Sequence, residues 1–129
     1  MIIYTDAGTK NNGKFGFQET RIVICDFGGK VIHEEVIGDF TSNEGEVKAM
    51  IWAMENLFPP KNEKEKLKIR SDSQLAVYWA IGKFKTGIDR LVPLVKQVRL
   101  LTIQTDTELE WIPREFNLAG HYIEEKYGL

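Results

Sequence analysis

Three β-rich runs come before the first helical pattern in this chain, and that order limits the folds open to it. "MIIYTD" is short, apolar and β-rich. After the Gly/Asn turn "NNGKFG", the runs "FGFQETRIVICDF" and "KVIHEEVIGDF" are joined by "GG", a strong hairpin signal. The period then changes. Val47, Met50, Ile51, Met54 and Phe58 lie on one face of a helix. "FPPKN" stops that helix, since proline cannot extend it. "KLKIRSD" reads as a strand, "SQLAVYWAIGKF" and "DRLVPLVKQVRLL" as helices broken at Gly82 and Gly87, and "TELEWIP" as the last strand. "NLAGHYIEEKYG" is a final helix with Asn117 as its cap.

The order β-β-β-α-β-α-α-β-α puts three antiparallel strands first. The last two strands must enter by helical crossovers, which make parallel neighbours. The expected fold is therefore α/β (α+β), a mixed five-stranded sheet flanked by helices, with residues 1–129 forming a single domain. That length suits one domain with a real core and is too short for two. In such sheets, sites gather where strands end beside helix starts.

Acids stand at those places. Asp6 is expected to end the first strand and Asp72 the fourth, while Glu46 lies in the first turns of the first helix. If strands one and four are adjacent, the carboxylates crowd together and repel unless a cation neutralises them. Taken singly, an Asp at a strand end is usually a turn or capping residue. Their placement in three separate elements at one sheet edge raises the joint reading. Hard oxygen ligands favour Mg²⁺, with Mn²⁺ able to substitute, and such a cluster suits phosphoryl transfer.

The same residues carry a resemblance. "YTDAGTKNNGKFGF", "TSNEGEVKAMIWAM", "IRSDSQLAVYWA" and "WIPREFNLA" occur in that order over nearly the whole chain. They resemble the four motif regions of type 1 ribonuclease H, which cleaves the RNA strand of RNA–DNA hybrids. The resemblance implies a ribonuclease H-like fold and a two-metal endonuclease. Asp6 would bridge both ions, and Glu46 and Asp72 would complete the site on the leaving-oxygen side. Asn12, Asn43 and Gln74 match positions that read RNA 2′-hydroxyls and minor-groove edges, and Thr41 matches one that holds a DNA phosphate. Contacts to 2′-hydroxyls are what separate RNA from DNA at a given place.

Two departures stand out. The basic extension between the middle helices shrinks to "GKFKTG", as in compact family members. There Lys83, Phe84 and Lys85 either touch phosphates or form a solvated loop. The second departure is Gly120, which stands where the family has an acid that helps hold the water-activating ion. Glu124, four residues on, leans back over Gly120 on the same helical face and is one replacement. His121, turned about 100° away, is a weaker one, and water with no protein ligand is the third. The alternative function is a ribonuclease H-like module that binds nucleic acid with weak or no catalysis. A different nuclease or resolvase of the superfamily is a further reading.

The remaining residues are bland. Trp52, Trp79 and Trp111 are expected in the core, and His33 on the surface. Cys25, the only cysteine, reads as a buried thiol in a reducing cytoplasm. "MIIYTDAGTK" lacks the character of a signal peptide and no apolar run is long enough to span a membrane. The expectation is a cytoplasmic monomer. A net charge of −2 means that any polyanion must be held by local positive charge.

Overall fold

A computed structural model describes residues 1–11, 18–58 and 64–129. Asn12, the prolines of "FPPKN" and most of the "NNGKFG" turn lie outside the described residues. The elements are β1 (Ile2–Asn11), β2 (Gln18–Asp26), β3 (Val31–Gly38), α1 (Ser42–Leu57), β4 (Lys68–Ser71), α2 (Gln74–Ala80), α3 (Val92–Thr105), β5 (Glu108–Trp111) and α4 (Leu118–Tyr127). The five strands form one sheet in the order β3-β2-β1-β4-β5. The β1–β2 and β2–β3 pairs are antiparallel, and the β1–β4 and β4–β5 pairs are parallel. This is the mixed five-stranded sheet expected from the order of periods, flanked by four helices.

Side-chain alternation along β1 and β2 feeds two cores. Ile3, Ala7, Ile22 and Ile24 face α1, α2 and α3, where Val47, Met50, Met54, Val77 and Val98 bury them. Tyr4, Val23 and Cys25 face α4, where Ala119 and Ile123 cover them. Helix α1 starts at a complete capping box. Thr41 Oγ1 accepts from the Glu44 N–H, and the Glu44 side chain accepts from the Thr41 N–H. Helix α4 starts at Asn117, whose Oδ1 accepts from the Ala119 and Gly120 N–H groups.

Several expectations need correction. Asp6 does not end β1, which runs on to Asn11 because its pairing with β2 continues as far as Asn11↔Gln18. What ends near Asp6 is the parallel neighbour: the β1–β4 pairing stops at Tyr4↔Arg70. Helix α3 begins at Val92, with Pro93 in its first turn, three residues later than the run "DRLVPLVKQVRLL" suggests. Trp79 is core, but Trp111 is 45% exposed, because β5 is an edge strand. Trp52 is half-buried and stacks on His33, with ring centroids 4.0 Å apart. His33 is thus a packed residue at the sheet surface. Cys25 is fully buried, and burial raises its thiol to about 11.

Candidate active site

The end of β4 creates the site. Beyond Tyr4↔Arg70, β1 has no parallel neighbour, so its backbone groups on that edge need other partners. The Thr5 carbonyl accepts from Asn117 Nδ2 at 3.0 Å. The Ala7 N–H donates to Glu46 Oε1 at 3.2 Å. Asp6 lies between these two residues. One gap in the ladder thus ties α1 and α4 to the strand that carries the first acid. Asp72 enters from the turn between β4 and α2. Its carbonyl accepts from the Trp111 indole N–H at 3.2 Å, and the next residue, Ser73, caps α2.

Asp6, Glu46 and Asp72 converge. Each offers an oxygen, and these atoms lie within 4.8 Å of one another. Asp6 is fully buried and Glu46 nearly so. Burial, opposed first by a side-chain hydrogen bond with Glu46 and then by Arg114, and reinforced by the Asp72 charge, raises Asp6 from 3.8 to about 6. Burial and then the Asp6 charge push Glu46 well above its ordinary value. Asp6 Oδ1 and Glu46 Oε2 are buried and find no hydrogen-bond partner among the described residues. Buried carboxylate oxygens without a donor are costly unless they are protonated or met by a cation. Three such oxygen donors in one cluster could hold a metal ion.

The residue that sequence reasoning missed is Arg114. Its Nη1 donates to Asp6 Oδ2 at 2.8 Å and to Asp72 Oδ2 at 3.0 Å, and its Nε donates to Glu124 Oε1 at 3.1 Å. Burial works against the guanidinium charge, but Asp6 and Asp72 outweigh it and raise the Arg114 pKa further. A Cβ built on Gly120 would lie 2.8 Å from Arg114 Nη1 and 2.9 Å from Cζ. The guanidinium therefore lies directly against the glycine. The one available signal was a cation placed just before a helix whose first turn lacks an expected acid.

The other candidates are placed as follows. Glu124 is exposed and meets the cluster through Arg114. It is not among the grouped ligand oxygens. His121 is exposed, with Nε2 2.6 Å from the Glu115 carbonyl oxygen. Asn43 and Gln74 are exposed at the starts of α1 and α2, where Gln74 Nε2 donates to the Tyr78 hydroxyl at 3.2 Å. The Thr41 hydroxyl donates to Glu44 Oε1 at 3.1 Å. Lys83, Phe84 and Lys85 are exposed, with Lys83 Nζ 5.4 Å from the Tyr78 ring and Phe84 edge-on to it.

Comparison with known proteins adds an independent line. Residues 5–123 match a family described as reverse transcriptase-like. The structure of LC11-RNase H1 in complex with an RNA/DNA hybrid is 31% identical, with 90% of this chain and 87% of that chain covered and a TM-score of 0.67. A further structure of LC11-RNase H1, isolated from compost by a metagenomic approach, is 30% identical over 95% of this chain and 90% of that chain, with a TM-score of 0.71. RNase H1 from the halophilic archaeon Halobacterium salinarum NRC-1 is 24% identical over 94% and 91% of the two chains at a TM-score of 0.70, a likeness of fold. No curated protein sequence matches the chain.

Proposed function

Because the chain belongs to the reverse transcriptase-like family and shares the fold of type 1 ribonuclease H, we propose that it cleaves the RNA strand of RNA–DNA hybrids endonucleolytically, with divalent metal. The observation that carries this reading is the convergence of Asp6, Glu46 and Asp72, with two buried carboxylate oxygens left unpartnered. The hybrid bound to LC11-RNase H1 supports the substrate class. We take residues 1–129 as one domain acting as a monomer in the cytoplasm. No helix among the described residues is long and apolar enough to cross a membrane.

Asp6, Glu46 and Asp72 would hold the metal. A bound divalent ion lowers the pKa of water and stabilises charge on a leaving oxygen. The protein residues do the rest. The Ala7 N–H fixes one oxygen of Glu46 and leaves the other buried without a donor. Arg114 holds Asp6 and Asp72 together and offsets their repulsion. Asn43 and Gln74, exposed at two helix starts, are the groups we assign to the hybrid's 2′-hydroxyls and minor-groove edges. Asn12 joins them in this reading. Thr41 would contact a DNA phosphate by turning its hydroxyl hydrogen away from Glu44.

The test is cleavage of an end-labelled hybrid across Mg²⁺ and Mn²⁺ concentrations. We expect 5′-phosphate and 3′-hydroxyl products, with single-stranded RNA and double-stranded DNA poor substrates. Equal cutting of double-stranded DNA would remove the reading. One observation favours the alternative of a hybrid-binding module without useful catalysis, namely the arginine whose positive charge lies against two of the acids that would hold a metal. Tight hybrid binding with no cleavage at any metal concentration would establish that alternative.

A further inference from the structure

Arg114 does more than lie near the acids. Nη1 takes one oxygen from each of Asp6 and Asp72, at 2.8 and 3.0 Å. A divalent ion on those two oxygens would sit about 2.0–2.1 Å from them and so beside the guanidinium, whose positive charge repels it. Gly120 lies against it: a Cβ there would begin 2.8 Å from Nη1, the far end of a flexible side chain that a small shift would move aside. The remaining oxygens are different. Asp6 Oδ1 and Glu46 Oε2 are buried and unpartnered, while Glu46 Oε1 is fixed by a backbone N–H. Charge points the same way. Asp6, Glu46 and Asp72 bring three negative charges when ionised, and the guanidinium offsets one. What remains matches a single divalent cation.

We propose that Arg114 is a built-in cation that takes the place of one divalent ion: it lies against Gly120 and is held by Asp6, Asp72 and Glu124, and the cluster takes one metal ion through oxygens that the guanidinium leaves free. The proposal rests on the metal-dependent reading above. It recasts Glu124 as an anchor for Arg114 in place of a metal ligand, which accounts for its position outside the grouped oxygens.

The test is Mn²⁺ binding to the full chain without substrate, followed by electron paramagnetic resonance and calorimetry. Wild type should bind one ion per chain. Arg114→Ala removes the competing cation and should tighten Mn²⁺ by about tenfold or more, since an opposing charge so near a low-dielectric site costs at least that much. Arg114→Lys keeps a positive charge but not the fork that spans Asp6, Asp72 and Glu124, so it should fall between wild type and Arg114→Ala. The double variant Arg114→Ala with Gly120→Asp should gain a second ion, whereas Gly120→Asp alone should not, because the new acid pairs with Arg114. A wild type that binds two ions, or an Arg114→Ala isotherm that overlays wild type, overturns the proposal. If Arg114→Ala does not fold, a second ion bound by Gly120→Asp alone overturns it, and one ion supports it. Metal binding is read apart from cleavage. One Arg114-dependent ion with no hybrid cleavage would keep this inference and remove the hydrolase reading. Cleavage by a wild type holding two ions would do the reverse.

Discussion

Asp6 feels opposed forces, and their balance has a sign. Arg114 at 2.8 Å favours the carboxylate, yet burial wins and its pKa rises from 3.8 to about 6. Folding therefore takes up a proton at this residue. Its contribution to stability is complete below about 3.8 and is lost as pH rises through about 6. Over that window the metal-free protein should lose stability, through Asp6 together with Glu46, with which it interacts. Asp6→Asn has no charge to lose. In chelator, urea unfolding should show the variant gaining on wild type between pH 4.5 and 7.5, and a gap that stays constant would mean that Asp6 is not strained. With metal and hybrid the same variant should lose at least about 10²-fold in cleavage rate, as when one preorganised electrostatic group is removed from an active site. Near-normal cleavage at saturating Mg²⁺ would show that the metal is held elsewhere.

At the scale of elements, helix α1 must lie close to the sheet for Glu46 to reach Ala7. Gly45 permits this approach. A Cβ there would lie 2.7 Å from Thr20 Cγ2 and 2.8 Å from Ala7 Cβ. Helix propensity alone would favour Gly45→Ala by about 1 kcal/mol. The clash is with short side chains fixed to strands, so overpacking of about 1–3 kcal/mol should win. We expect a net lower melting temperature and slower cleavage, because Glu46 is the next residue; a stabilised variant would show that α1 can move outward freely. Much at this scale was legible in the sequence. The β2–β3 hairpin, the α1 face and the Asn117 cap rest on local signals, and the three acids were legible as residues of three separate elements, although Asp6 proves to lie within its strand and not at its end. Three features were not. The extension of β1 past Asp6 depends on pairing with β2, not on the polar run "AGTKN" itself. The exposure of Trp111 follows from β5 lying at the sheet edge. Arg114 meets Asp6 and Asp72 across 108 and 42 residues of chain, so no local pattern could reveal the contact.

For the whole molecule, a net charge of −2 gives no general attraction to a polyanion. Many cations are already paired: Arg90 with Glu44, Lys68 and Arg70 with Glu110, Lys126 with Glu34, and Arg114 with the acids of the site. Positive charge meets the exposed Phe84 ring at a recess of about 210 Å³, lined in part by Lys85, Lys96 and Arg99, with the buried Trp79 in its wall. This is where the chain passes through "GKFKTG", the shortened segment between α2 and α3. If Lys85, Lys96 and Arg99 are the main phosphate contacts, each neutralised phosphate adds about 0.9 to the salt slope, for a total of about −3. Measured with Asp6→Asn so that the hybrid stays intact, log K against log salt should therefore be shallow. Replacing Lys85 and Lys96 together by alanine should reduce its magnitude by about 2 and weaken all hybrid sequences alike, since phosphate contacts carry no sequence information. A wild-type slope steeper than about −6 would require a wider basic surface. An unchanged slope in the double variant would move the phosphate path away from this recess, toward the starts of α1 and α2, where Asn43 and Gln74 stand exposed.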